Sequence, residues 1–433
     1  MLIHRDAGLV RALGPLGLAA SIVSMMIGAG IFAAPSALAA SVGSYAPLAF
    51  LACALGIGSV GICCAEGGSR VPTSGEMYGY IEAALGPLAG YVAGTLLWVG
   101  DLLTSAAVAA ALADVAASLV PSTLLVTVRA IVIVGVIVGI ALVNVGGVTR
   151  GARLVTGATV LKLFPLLIFV MVGAAAVHPA NFSTQPGWQP QALGRAVILA
   201  AFALMGMEAS LCNSGEVSQP TRTIPLALAI ALASVTLLYI AIQLIVQGIL
   251  GSALAHSTAP LADAMDRISP ALRVLMLAGT AFAMFGNIAS DILGTPRVLF
   301  AFARDGLLPR ALGRVHPVSH TPHVAILSYA ALAIALALSG SFAELAVLSA
   351  LASAGLYIAA CVAGGLLARR DVALAGVPLS FRWLGLAMGL GIGTMLLLIA
   401  LASPAEITGL LALVAGSAAV YLLQSRIVAP GAT

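Results

Sequence analysis

Four ionisable side chains stand in strongly apolar surroundings: Asp101 in LLWVGDLLTS, Lys162 in ATVLKLFPLLIF, Glu208 in LMGMEAS and Asp291 in GNIASDILGTP. Lys162 is the single lysine of the chain. A charge carried into a bilayer on a helix costs about 2.5–3.5 kcal/mol at the helix centre. Three acids and one amine at such depth can pair with each other, transfer protons or recognise a cation. Burial disfavours a charged ammonium, the property a proton carrier needs. Each group also has a plainer reading. A lysine can snorkel to an interface, although Lys162 lies roughly 9–13 residues into its apolar segment, at ~1.5 Å per residue. Asp101 and Asp291 either pair locally, with Lys162 or with hydroxyls, or attract a positively charged ligand. Glu208 is either a gate or protonation site, or a buried protonated carboxyl bonded to helix backbone.

Other chemistries lack their residues. The six histidines fall near segment ends or loops, and the five cysteines sit in apolar stretches without ligand-type spacing. No His/Ser/Asp set or metal set lies at depth, so neither an enzyme nor a metal or cofactor site is expected.

The elements that must position these charges follow from composition. Of 433 residues, 61% are hydrophobic and 8% charged, against about 25% charged in an average soluble domain. That excludes a soluble enzyme, a nucleic-acid binder and a disordered chain. The long all-round apolar runs are those of an all-α integral membrane protein and not of a β-barrel. No charge occurs from Ala12 to Ala65, too long for one helix, with a turn at Tyr45–Pro47. Twelve spans are expected, at 14–40, 46–66, 88–118, 124–145, 154–177, 192–214, 224–250, 272–302, 323–340, 343–367, 383–402 and 405–424. The first apolar stretch outruns the h-region of a cleaved signal peptide. With the N-terminus inside, only Arg129, Arg195, Arg267 and Arg273 face out, and the other fourteen arginines face in. The positive-inside rule then places both termini in the cytoplasm.

Span one is interrupted by Gly28-Ala29-Gly30 in MMIGAGIFAAP, and span six, five spans later, by the weaker LMGME around Gly206. Such glycines either let helices pack closely or unwind the helix. Unwound backbone at depth needs a partner. Half-helix N-termini suit a carboxylate and free carbonyls suit an ammonium, which together form a receptor for the zwitterionic head of an amino acid.

Four stretches in this order resemble the amino acid–polyamine–organocation (APC) transporter superfamily over nearly the whole chain: GAGIFAAP (28–35), AEGGSRVPTSGEMYGYIEAALGPLAGY (65–91), FALMGMEASLCNSGEVSQPTRTIPLA (202–227) and PRVLFAFARDGLLP (296–309). Glu76, Ala203 and Met207 depart from the usual pattern. The resemblance is to bacterial proton-coupled amino acid permeases and basic amino acid–polyamine antiporters. It implies a LeuT-type fold of two inverted five-helix repeats, about 14–177 and 192–367, with two extra C-terminal helices at 383–424, all in one transporter domain of residues 1–433. It implies alternating access around a midplane site. Gly28, Ala29 and Gly30 would bind the substrate carboxylate, while Ile27, Phe202, Leu204 and Met205 would supply backbone near its amino group. Asp101 and Asp291 would face its side chain, and Lys162 would occupy the place where sodium-coupled relatives hold a cation.

These readings converge on a secondary transporter of amino acids in the bacterial inner membrane, leaning to cationic amino acids or polyamines, with proton coupling or exchange. Its partners are then the substrate, protons and the lipid bilayer. The rival within the same fold carries neutral amino acids, with both aspartates structural. A channel would need a continuous polar lining. A non-transporting sensor would usually carry a soluble domain, and the termini are short.

Overall fold

Proline is the first residue of eight helices: Pro15, Pro87, Pro190, Pro220, Pro260, Pro270, Pro296 and Pro404. The first amide of a helix has no intrahelical acceptor, so a ring that removes it and presets φ marks a helix start without loss. The structure, a computed structural model, describes residues 14–71, 76–117, 120–182, 190–207, 219–374 and 378–428. Among them are α-helices and short 3-10 turns and no strand. In chain order the helices are α1 (Pro15–Met26), α2 (Gly30–Val42), α3 (Ala46–Arg70), α4 (Glu76–Leu85), α5 (Pro87–Ala117), α6 (Leu125–Val145), α7 (Val148–Gly173) and α8 (Pro190–Leu204). They continue as α9 (Pro220–Leu250), α10 (Pro260–Asp266), α11 (Pro270–Gly294), α12 (Pro296–Arg304), α13 (His323–Ser339), α14 (Phe342–Arg369), α15 (Leu384–Ala400) and α16 (Pro404–Val428).

A helix occupies each of the twelve expected stretches, but not always unbroken. Among the described residues seven stretches are long and apolar enough to cross a bilayer, and three apolar helices, α1, α13 and α15, fall below that length. The stretch 14–40 is split into α1 and α2, and 272–302 into α11 and α12 at Pro296. A proline at that point leaves one amide missing from the ladder.

Two short helices were not expected. In α4, Met77, Tyr80, Ile81 and Ala84 are buried, the i, i+3, i+4, i+7 stripe of a helix lying on a protein surface. The stretch between the spans expected at 46–66 and 88–118 therefore holds an amphipathic helix packed on α5. The second is α10, which leans on α11.

Within the most apolar part of α5 and of α14, 72% of residues are buried; in α16 the share is 6%. α5 and α14 pack against each other at the centre, and α16 lies against α5 with its apolar side chains outward. An apolar exterior of this kind is what a bilayer covers. α11 packs on α7 and α5, α1 on α9, and α2 on α8. Small residues permit these approaches: a β-carbon at Gly30 would stand 2.5 Å from Ala203 Cα, so the backbones of α2 and α8 touch.

Candidate functional site

Helix α1 stops at Met26 and α2 starts at Gly30, with Ile27 at φ −80°, ψ 84°. The carbonyls at the end of α1 find partners from outside the helix. Ser24 O accepts a hydrogen bond from Lys162 Nζ on α7. Met26 O accepts from the Tyr239 hydroxyl on α9 at 2.9 Å and from the Gly28 amide at 3.0 Å. The other side of the break is different. The N-cap of α2 is Ala29, which has no side-chain hydrogen bond to the helix. A buried helix N-terminus with no capping side chain presents amides and the positive end of the dipole to an anion.

Helix α8 stops at Leu204, and Met205–Gly206 is not helical. Gly206 takes φ 115°, a conformation that side chains rarely adopt. A β-carbon there would also stand 3.1 Å from Met25 O. The two breaks therefore touch through backbone, Gly206 against the end of α1 and Gly30 against α8.

A cavity of about 50 Å³ lies at this contact, lined by Gly28, Ala29 and Gly30 from the first break and Phe202, Met205 and Gly206 from the second. Its remaining polar wall is Asp101 and Thr104 from α5, Asn287 and Asp291 from α11, and Ser349 and Ser353 from α14. Occupancy by one water takes roughly 10–15 Å³, so the space is sized for a small polar solute.

Each carboxylate has a hydroxyl partner. Thr295 donates to Asp101 Oδ2 at 2.8 Å, and Ser105 donates to Asp291 Oδ2 at 3.0 Å while lying 3.0 Å from the Tyr329 hydroxyl. Asp291 also interacts electrostatically with Lys162, which is 2% exposed. One buried basic group is thus bonded to a carbonyl on α1 and lies in the field of a carboxylate on α11. Thr104 and Ser349 share a hydrogen bond of 2.7 Å, and Ser349 also donates to Gly100 O at 2.9 Å, which ties α5 to α14.

The expected residues are distributed as follows. Gly28, Ala29, Gly30, Asp101, Phe202, Met205 and Asp291 line the cavity. Ile27 and Leu204 are fully buried beside the breaks but do not line it. Lys162 stands behind the first break, and Glu208 lies outside the described residues. The sequence reading missed Asn287, Thr104, Ser349 and Ser353. Asn287 is four residues before Asp291 and Thr104 three after Asp101, spacings that share a helix face, so both were within reach of that argument. The serines of α14 carry no comparable signal. Of the cysteines, Cys53, Cys63, Cys64 and Cys361 are free and buried, and Cys212 lies outside the described residues.

The sequence pattern of the amino acid permease family matches residues 13–406. An uncharacterized transporter of Mycobacterium tuberculosis (strain ATCC 25618 / H37Rv) is 32% identical over 335 residues, covering 76% of this chain and 73% of the relative. The methylthioribose transporter of Bacillus subtilis (strain 168) is 27% identical over 341 residues, 73% of this chain and 72% of the relative. The branched-chain amino acid permease of the same organism is 27% identical over 383 residues, 81% of this chain and 78% of the relative.

Proposed function

This chain belongs to the amino acid permease family of the APC superfamily, and from that premise we propose that it moves amino acids across the bacterial inner membrane by alternating access around the cavity between the two helix breaks. It is a multi-pass membrane transporter and not an enzyme. The observation that carries the reading is the pairing of opposite helix ends at one cavity: the uncapped start of α2 and the end of α8. The amides of α2 bind the substrate carboxylate near Gly28–Gly30. Backbone around Ile27, Phe202, Leu204 and Met205 frames the amino group.

The finer architecture is part of the proposal. Twelve spans form two inverted five-helix repeats, about 14–177 and 192–367, followed by two helices at 383–424, with both termini in the cytoplasm. Transport is proton-coupled or exchanging, with Lys162 as the coupling group and Glu208 as a gate.

The preferred substrates are cationic amino acids or polyamines. Two carboxylates face one small cavity, and a carboxylate held out of water is stabilised by a positive partner. At an effective dielectric of ~20, a charge pair at 4 Å interacts by about 4 kcal/mol before desolvation. The competing reading, a neutral amino acid transporter, is favoured by the hydroxyl partner that each aspartate already has, Thr295 and Ser105. Competition for uptake in proteoliposomes by arginine, lysine, ornithine and putrescine against alanine and leucine decides between them. If alanine or leucine competes best, the aspartates are structural. If no amino acid or polyamine competes at all, the transporter reading of this cavity fails.

A further inference from the structure

Asn287 is a polar residue of the cavity wall, outside both helix breaks. It lies on α11 one turn before Asp291 and is 6% exposed. Its amide packs against the α-carbon of Gly28: a β-carbon there would stand 3.1 Å from Nδ2 and 3.4 Å from Cγ. Oδ1 is buried and has no hydrogen-bond partner among the described residues. An amide oxygen buried without a donor destabilises a protein, and an apolar side chain of the same shape does not. At the wall of a cavity the oxygen can take that donor from the cavity's contents.

Several acceptors around it already hold a donor. Among the carbonyls ending α1, Val23 O accepts the Ile27 amide, Ser24 O accepts Lys162, and Met26 O accepts Tyr239 and the Gly28 amide. Asp101 accepts from Thr295 and Asp291 from Ser105. Asn287 Oδ1 is a buried acceptor that holds no donor among the described residues, and it stands beside Gly28, at the edge of the uncapped amides of α2. In an α-amino acid the ammonium and the carboxylate hang on one carbon. An acceptor for the ammonium must then sit next to the anion site, which is where Asn287 stands.

We propose that Asn287 is a substrate-binding residue whose Oδ1 accepts a hydrogen bond from the α-ammonium group of the transported amino acid. The proposal rests on the amino acid reading of the cavity and adds to it a requirement: a donor on the carbon adjoining the carboxylate. Substrates that carry their amine only at the far end of the chain lack it.

Calorimetric titration of the purified full chain tests this with two matched pairs. L-leucine is set against isocaproate, which lacks its amino group, and L-lysine against ε-aminocaproate, which lacks only the α-amino group. The wild type is expected to favour the α-amino acid of the better-bound pair by about tenfold or more, the effect of one hydrogen bond to a charged group. Asn287→Leu is expected to weaken that amino acid by about tenfold and leave its deaminated analogue unchanged. Asn287→Asp, which keeps an acceptor, is expected to retain the discrimination. Equal weakening of both members in Asn287→Leu, or no change in either, overturns the assignment. Should Asn287→Leu fail to fold, Asn287→Ala is read by the same ratio. If the wild type binds none of the twenty L-amino acids, the amino acid reading itself fails, a result distinct from a lost ratio in the variant.

Discussion

Lys162 donates to the backbone carbonyl of Ser24, so a side chain from α7 holds the last turn of α1 just before the helix breaks. Tyr239 from α9 does the same for Met26, two residues on. The carbonyls that an interrupted helix exposes are thus held from two separate helices. Neutralising Lys162 keeps a donor but removes the charge, and a charge-assisted hydrogen bond is roughly twice as strong as a neutral one. Removal of that charge is therefore expected to loosen the hold of α7 on α1.

Lys162→Met is expected to lower proton-driven uptake at least tenfold, with the purified protein still folded by its melting profile. Lys162→Gln retains a donor without a charge. It is expected to support substrate exchange between the two sides of a proteoliposome while losing accumulation driven by an imposed pH gradient. Full gradient-driven accumulation in either variant, or a strict sodium requirement in the wild type, removes Lys162 from the coupling step.

Glycine-to-alanine substitutions separate backbone contact from open space. Gly30→Ala drives a β-carbon onto Ala203 Cα, which cannot swing aside, and overpacking of this kind costs about 1–3 kcal/mol. Gly206→Ala adds backbone strain at φ 115° to crowding against Met25 O, a further cost of roughly 1–3 kcal/mol. Gly294→Ala meets no atom within 4 Å and replaces a poor helix former with the best one, worth about 1 kcal/mol. Thermal unfolding in detergent is expected to rank Gly294→Ala at or above wild type and the other two clearly below.

Arg70, 4% exposed, meets Glu66, 1% exposed, at 2.9 Å on the last turns of α3. Arg70 also donates to Val372 O and Leu379 O, and Glu66 Oε2 accepts the Phe381 amide. The pair thereby fixes the segment between α14 and α15. Arg70→Leu is expected to cost roughly 3–5 kcal/mol, because it leaves a buried carboxylate without its cation. The double variant Glu66→Leu/Arg70→Leu is expected to be more stable than Arg70→Leu alone. A double variant no better than the single would mean that the Arg70 bonds to Val372 and Leu379 carry the effect instead.

The two cavity aspartates are expected to behave differently. Asp101 is bonded to a neutral threonine, while Asp291 also faces Lys162. Asp101→Asn should weaken competition by arginine or ornithine several-fold and leave alanine little changed, since ~1.4 kcal/mol is tenfold. Asp291→Asn should lower uptake of every substrate, because it takes a counter-charge from Lys162. Equal losses across all substrates in Asp101→Asn would show that it acts on folding or on the transport cycle instead of on substrate charge.

The helices and the first break are properties of the sequence alone. Continuous apolar runs cannot be solvated by water, prolines mark where helices begin, and two glycines a residue apart weaken the first of them. Those are local effects, readable without knowing what packs against what. The short helix α4 was equally local: its buried stripe of Met77, Tyr80, Ile81 and Ala84 is plain in the periodicity, hidden only by its place between two expected spans. The partners of the buried charges were not local. Ser105 and Asp291 are 186 residues apart, Asp101 and Thr295 194, and Lys162 and Ser24 138. Sequence placed each charge at depth and required it to find a partner, because an unpaired one is too costly there. Which partner it found depends on how α5, α7 and α11 rotate against α1, and only the packed structure sets those rotations. Asn287 shows the same division: its helix face followed from Asp291, but an amide oxygen left open beside Gly28 arises only where α11 meets the break of α1.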